Sequence, residues 1–401
     1  MSRRFSYVLR RIGRGLALLA LGGCVDSYLP EVVSANATYL VVDGFINGNG
    51  RSTFLLSRTE NIAATTVPPV ETGATLYLAD DTGRRYSLSE VTSGTYQSDS
   101  LVLDPRRQYQ LSIRTSRSAS YASDLVPLKV TPPLDKLGFA LRDGQVQLQL
   151  STHDASAQSR YYRWQLSETW QFNAAYQSRL EYRGGIIQSR ITPIYTCWRT
   201  ERPSGIQQRS TAALSQDILT DVPLASPSAN SERFKIRYSA LVSQYVETAA
   251  EFAYFEQLRK NTEAVGTVND PLPVQLTGNV HRLDNATEPV LGFVGAHTIQ
   301  RQRLFISRQD LPFRNDDDFD TPYKDCAKQD TAEILYPYLK MSSTAALYPN
   351  SLLFGNAENV PIDLIYPSNP VPGFPVFGYS GSTAACADCR TRGTTTKPSF
   401  W

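Results

Sequence analysis

From residue 37 onward the chain alternates apolar and polar positions in short runs, each closed by turn residues. That period of two is the signature of strands with one buried face. Tyr39-Leu40-Val41-Val42-Asp43-Gly44-Phe45-Ile46 predicts a first strand, the Asn47-Gly48-Asn49-Gly50 turn closes it, and Ser52 to Ser57 returns. Ala74 to Leu78 and Arg85 to Leu88 flank Asp80-Asp81-Thr82-Gly83, a second hairpin signal. Tyr109, Leu111 and Ile113 then alternate with Gln110, Ser112 and Arg114, so one face of that strand is expected inside and the other in water.

The stretch Leu101 to Tyr109, with Pro105 ahead of the strand, has the form of a tyrosine corner. About seven strands in about 95 residues therefore predict an immunoglobulin- or fibronectin-like β-sandwich over 37–130. Thr131-Pro132-Pro133 marks its end, because proline removes ladder donors and stiffens an extended link. A second, larger β-sandwich is expected over 131–309, opening with Gln145 to Leu150. Its most apolar run is Tyr161 to Phe172, where Tyr162, Trp164, Leu166, Trp170 and Phe172 share one face. Period-two aromatics of this kind predict a core strand ahead of an exposed platform for stacking sugars. Val246, Ala250, Ala253, Tyr254 and Leu258 at helical spacing predict an inserted helix over 243–261, with Ser243 as its N-cap. Val274 to Leu276, Val290 to Val294 and Arg303 to Ile306 are strand-like. Residues 310–401 are rich in Pro, Gly, Ser and Thr, and predict a loop-rich extension packed on the second domain.

Ahead of this all-β body the pattern changes. Arg3, Arg4, Arg10, Arg11 and Arg14 precede the apolar run Leu16 to Leu21, which is far shorter than the roughly 20 residues a helix needs to cross a bilayer. Leu21-Gly22-Gly23-Cys24 follows, small residues directly before a cysteine. Residues 1–23 thus read as a lipoprotein signal peptide, Cys24 as the lipidation site and 24–36 as a tether. The expected product is held at the outer membrane by its acyl chains, which anchor stably where a single chain would be marginal.

Loss of the signal peptide removes five arginines, so 40 basic residues become 35 against 38 acidic ones. Near-neutral charge with no basic stripe argues against nucleic acid as a partner. Four cysteines remain: Cys197, Cys326, Cys386 and Cys389. In an oxidising compartment they are disulfide candidates, with three possible pairings. Cys386-Ala387-Asp388-Cys389 has a zinc-knuckle spacing, but its other half would be two cysteines far apart in the chain, so no metal is expected.

No catalytic constellation is legible, and no cofactor is expected. His153, His281 and His297 lack metal-ligand spacing, and no G-x-S-x-G elbow supplies a nucleophile. Asp316-Asp317-Asp318-Phe319-Asp320 lacks the glycine and distal glutamate of a calcium loop and reads as a solvated acidic turn. Pro398 before Phe400-Trp401 excludes a final strand of an outer-membrane barrel.

The chain resembles the Bacteroidota cell-envelope lipoproteins grouped as domain of unknown function 4249. The resemblance rests on Leu40-Val41-Val42-Asp43-Gly44, Pro132-Pro133-Leu134-Asp135, and Arg163-Trp164-Gln165-Leu166-Ser167-Glu168-Thr169-Trp170. It continues through Cys197-Trp198, Gly278-Asn279-Val280-His281, Val290-Leu291-Gly292-Phe293, Cys386-Ala387-Asp388-Cys389-Arg390 and Lys397-Pro398-Ser399-Phe400-Trp401. It implies a cell-envelope lipoprotein of the kind encoded beside TonB-dependent outer-membrane receptors, with no catalytic residues to carry over. Tandem sandwiches without a catalytic constellation add the expectation of a non-enzymatic accessory or ligand-binding partner of such a receptor. A glycan-binding surface module and an envelope hydrolase are the other classes to weigh.

Overall fold

A computed structural model describes residues 38–60, 67–263, 276, 278–312, 315–327, 354–355, 358–365 and 378–401. The signal peptide, Cys24, the tether and the start of the strand expected at Val274 lie outside them. All the described strands and helices belong to one unit, Tyr39–Thr59 together with Val67–Trp401.

The amino-terminal strands are β1 (Leu40–Asn47), β2 (Asn49–Arg58), β3 (Thr75–Asp80), β4 (Arg85–Thr92) and β5 (Thr95–Val102). They continue with β6 (Gln108–Arg114), β7 (Ser120–Ser123) and β8 (Val126–Pro127). Alternation holds along them: Phe54 and Leu56 of β2, and Tyr109, Leu111 and Ile113 of β6, are buried. The expected division into two sheets is not what forms. The strands run β7-β6-β3-β4-β5-β2-β1 in one hydrogen-bonded path, with β8 also on β6. Register shifts between Arg51 and Thr53 and between Glu90 and Thr92 bend the strands. One curled sheet can therefore wrap a single core that includes Leu40, Phe54, Leu76, Tyr96 and Leu111. The tyrosine-corner bond is present all the same, because the Tyr109 hydroxyl donates to the Asp104 carbonyl at 3.1 Å.

The second part has two sheets around one core. β9 (Leu134–Arg142), β10 (Gln145–His153) and β16 (Ile218–Ala225) form one, in the order β16-β10-β9. The other contains β11 (Tyr161–Asn173), β14 (Thr196–Glu201), β17 (Arg237–Val246) and β20 (Gln300–Ser307), ordered β14-β11-β17-β20, with β15 (Gln207–Ser210) on the first half of β11. Val146, Leu148 and Leu150 of β10 share that core with Tyr162, Trp164, Trp170 and Phe172 of β11. Trp164 is 3% exposed, which places the aromatic strand inside and excludes a sugar platform there. A small hairpin, β12 (Leu180–Arg183) with β13 (Ile186–Ser189), projects between β11 and β14 in sequence.

Two corrections concern the carboxyl half of this region. The helix, α1, spans Ala249–Glu263, and the residues before it belong to β17. Ser243 pairs with Gln165 and Arg301 on either side, so it is a central strand residue and caps nothing. The N-cap is Thr248, whose hydroxyl accepts from the Glu251 N–H at 3.1 Å. The boundary at residue 130 is likewise not a clean cut, since the chain returns to the first sheet. β18 (Val280–Arg282) pairs with β7, and β19 (Ala296–His297) runs parallel to β1. Gly292, at φ +122°, makes that return possible, because a Cβ there would lie 2.0 Å from the Val42 carbonyl oxygen.

In the carboxyl-terminal region β21 (Asn359–Ile365) pairs with β22 (Gly378–Thr383). Among the described residues of this region Val360 and Ala387 form a small buried cluster with Ile194, while Phe319, Tyr323, Cys326 and Cys389 join the core of the second part. Two disulfides add covalent attachment, Cys197–Cys389 and Cys326–Cys386. All four expected cysteines are thus oxidised, and Cys386 and Cys389 belong to different bridges, which rules out a shared zinc half-site.

Candidate functional site

Where β11 ends, a groove of about 960 Å³ opens between three segments that are remote in sequence. The chain leaving β11 contributes Ala175 and Tyr176, and Tyr195 joins it from the approach to β14. The turn ahead of β17 contributes Glu232, Lys235 and Ile236, and the loop after β20 contributes Arg308, Asp316, Phe319 and Tyr323. Phe172, Phe319 and Tyr323 are buried and form its apolar lining, while Tyr176 and Tyr195 are half-buried at the opening.

Ion pairs and the disulfides fix these walls. Asp316, from the acidic run, lies 3.6 Å from Lys235 Nζ and is paired with Arg308, whose hydrogen bond holds the Asp316 carboxyl below its ordinary value. The other carboxylates of that run are exposed, whereas Phe319 turns inward, and Asp318 caps a short turn by accepting from the Asn315 N–H at 3.0 Å. Arg392 comes from the tail, donates to Glu232 at 3.0 Å and lies over the rings of Phe172 and Tyr323 at 4.8 and 5.0 Å. The Tyr176 hydroxyl donates to the Cys326 carbonyl, and the Ala175 N–H to the Cys386 carbonyl at 2.9 Å. The Cys326–Cys386 bridge therefore holds the groove's edge directly. Aromatic faces beside charges of both signs suit a ligand that is part apolar and part polar.

A family model described as "Domain of unknown function (DUF4249)" matches residues 25–303. The chain belongs to that family. The DUF4249 match runs through both β regions and stops inside β20, so the loop after β20 and three of the four paired cysteines lie beyond it. The groove is thus built partly from DUF4249 residues and partly from the tail. No curated protein matches the chain. A solved structure of a DUF4785 family protein from Legionella pneumophila subsp. pneumophila is similar at 10% identity, over 51% of each chain, with a TM-score of 0.17. The chain spans about half the length of that protein, and so slight a likeness carries no argument.

The histidines are scattered. His153 meets Asp135 at 2.8 Å and His281 meets Asp124 at 3.2 Å, both exposed. His297 is fully buried, stacks on Phe45 at 4.4 Å and lies 3.3 Å from Glu251 Oε1. It adjoins a buried ionic cluster in which Arg163 pairs with Glu247 and faces Glu251 at 3.8 Å. Gln208 donates to the other oxygen of Glu247 at 2.7 Å. Burial pushes the Glu247 carboxyl up to about 7, and the like charge of Glu251 adds to the shift against the attraction of Arg163. This cluster joins β11, α1 and β19, and Glu247, Glu251 and His297 are all buried in it. Among the described residues no group of three His, Cys, Asp or Glu could hold a metal ion, and no helix is long and apolar enough to cross a membrane.

Of the groove's aromatic and basic residues, the sequence singles out Phe172 as a core residue and Phe319 within the acidic run, and none as part of a site. Apart from Phe172 of β11 they lie outside the long strands, carry no fixed spacing, and meet because β11, β17 and β20 are neighbours in one sheet.

Proposed function

We propose that this chain is a lipid-anchored, non-enzymatic protein of the outer membrane that uses the groove beside β11 to bind a segment of a TonB-dependent receptor or a ligand passing to it. The carrying observation is the groove itself: about 960 Å³, lined by aromatic and charged side chains, and fastened by a disulfide at its edge. A rigid wall loses little freedom on binding, and aromatic faces beside ion pairs are a common recipe for recognition. The lipoprotein signal ending at Cys24 and the near-neutral mature charge support a site at a membrane reached through acyl chains.

The test is co-purification of the lipidated protein from its native envelope in mild detergent, beside a Tyr195→Ala/Lys235→Glu double variant. An outer-membrane receptor retained by the natural chain and lost from the variant is the expected result. Equal retention by both would remove the groove from the reading. Saccharides bound on a glycan array through the same two residues would instead favour a glycan-binding module.

A further inference from the structure

A second concavity, of about 560 Å³, lies at the turn between β1 and β2. Arg51 and Thr53 of β2, Ser100 of β5 and Arg301 of β20 line it, together with the turn residues Asn47 and Asn49. The turn is pinned by its own asparagines. Asn47 Nδ2 donates to the Arg51 carbonyl at 3.2 Å, and Asn47 Oδ1 accepts from the Asn49 N–H at 3.1 Å. The Asn49 side chain pairs with the backbone of Ile299 in both directions, donating at 3.0 Å and accepting at 2.9 Å. Both amides are therefore engaged in holding β2 and the start of β20 in place.

The groups left to meet a ligand are two guanidiniums and two hydroxyls. Arg51 stands directly opposite Ser100 in the β2–β5 register, and Thr53 accepts from Gln97 at 3.1 Å, which leaves its O–H to donate. Neither Arg51 nor Arg301 has an ion-pair or side-chain hydrogen-bond partner among the described residues, and no carboxylate is among the walls. An isolated surface arginine is ordinary. Two of them in one concavity without a counter-charge concentrate positive potential, and the guanidinium fork matches the paired oxygens of a carboxylate or phosphate. The space is larger than a bare oxyanion needs and falls in the range of small-molecule pockets.

We infer that this concavity binds a small polyhydroxylated anion, a sugar acid or a sugar phosphate, with Arg51 and Arg301 on the charge and Thr53 and Ser100 on the hydroxyls. The site is separate from the groove and does not depend on the function proposed for it. A ligand here would span β2 and β20, one from each β region.

Isothermal titration calorimetry of the full lipidated chain in detergent micelles, at low ionic strength, tests the assignment with glucuronate, glucose 1-phosphate, inorganic phosphate and glucose as probes. Glucuronate or glucose 1-phosphate is expected to saturate with a Kd at or below about 1 mM, and whichever is tighter names the source of the charge. Arg51→Gln and Arg301→Gln should each weaken that binding by roughly tenfold or more, with an unchanged melting midpoint because both side chains are exposed. Glucose matching the charged sugars, phosphate matching them, binding that survives in an Arg51→Gln/Arg301→Gln double variant, or no saturable binding of either charged sugar would each overturn it.

Discussion

Trp164 donates its indole N–H to Gln244 Oε1 at 2.8 Å, across the central strand pair of the second core. Gln244 in turn donates to the Pro132 carbonyl at 2.8 Å and to the Thr152 hydroxyl at 3.0 Å, so one amide ties both sheets and the inter-region link together. Trp164→Ala would empty a large aromatic site and leave that buried acceptor unmatched. A loss of about 3–5 kcal/mol is expected in denaturant unfolding. A variant that unfolds at the natural midpoint would return the aromatic strand to the surface.

The disulfides give a second expectation. Proteolysis and mass mapping without reductant should yield Cys197 linked to Cys389 and Cys326 linked to Cys386. Replacing both members of either pair by alanine should cost about 2–4 kcal/mol, since each bridge closes a long loop of chain. The Cys326/Cys386 replacement should also loosen the groove. Detection of a Cys386–Cys389 peptide in the native protein would contradict the arrangement.

Stability should depend on pH through Glu247. Its folded value is raised from 4.5 to about 7, so between those values the folded chain holds more protons than the unfolded one. The contribution is fully present below pH 4.5 and is lost as pH rises through about 7. Glu247→Gln, which keeps the neutral shape, should flatten this part of the curve. Parallel slopes for the two proteins across that window would show that Glu247 stays ionised.

On the lipoprotein proposal Cys24→Ala should release the protein from the membrane fraction with its melting behaviour intact, because Cys24 lies ahead of the first described strand. Retention in the pellet after a salt wash would defeat the lipoprotein reading.

Much of the strand pattern was legible because alternation reports burial directly: β1, β2, β6, β10 and β11 all form where period two predicts them. The helix start was misplaced because Val246 fits both periods, and strand pairing to Tyr162 decides between them. A better local signal was present in Thr248-Ala249-Ala250-Glu251, the spacing of a capping box. The return of the chain to the first sheet left only glycines as traces. A Cβ on Gly278 would strike the Gly292 carbonyl at 1.7 Å, and one on Gly295 would reach the Glu251 carboxylate at 2.3 Å. Such close approaches are long-range facts, invisible to periodicity. The groove and the Arg51–Arg301 concavity are hidden for the same reason, since each gathers residues remote in sequence that sheet order brings together.

The two disulfides are nested, with the Cys326–Cys386 loop enclosed by Cys197–Cys389. In a chain delivered amino-terminus first, Cys197 and Cys326 emerge long before either native partner. An oxidant that joins thiols in order of arrival would make the wrong bond, stranding Cys386 beside Cys389. Maturation then calls for a thiol–disulfide isomerase as well as an oxidant, because the bond must be reopened by thiolate attack and exchanged. Expression hosts that oxidise without reshuffling should accumulate a mispaired, protease-sensitive form, and a stop codon ahead of residue 386 would leave neither native bridge able to close.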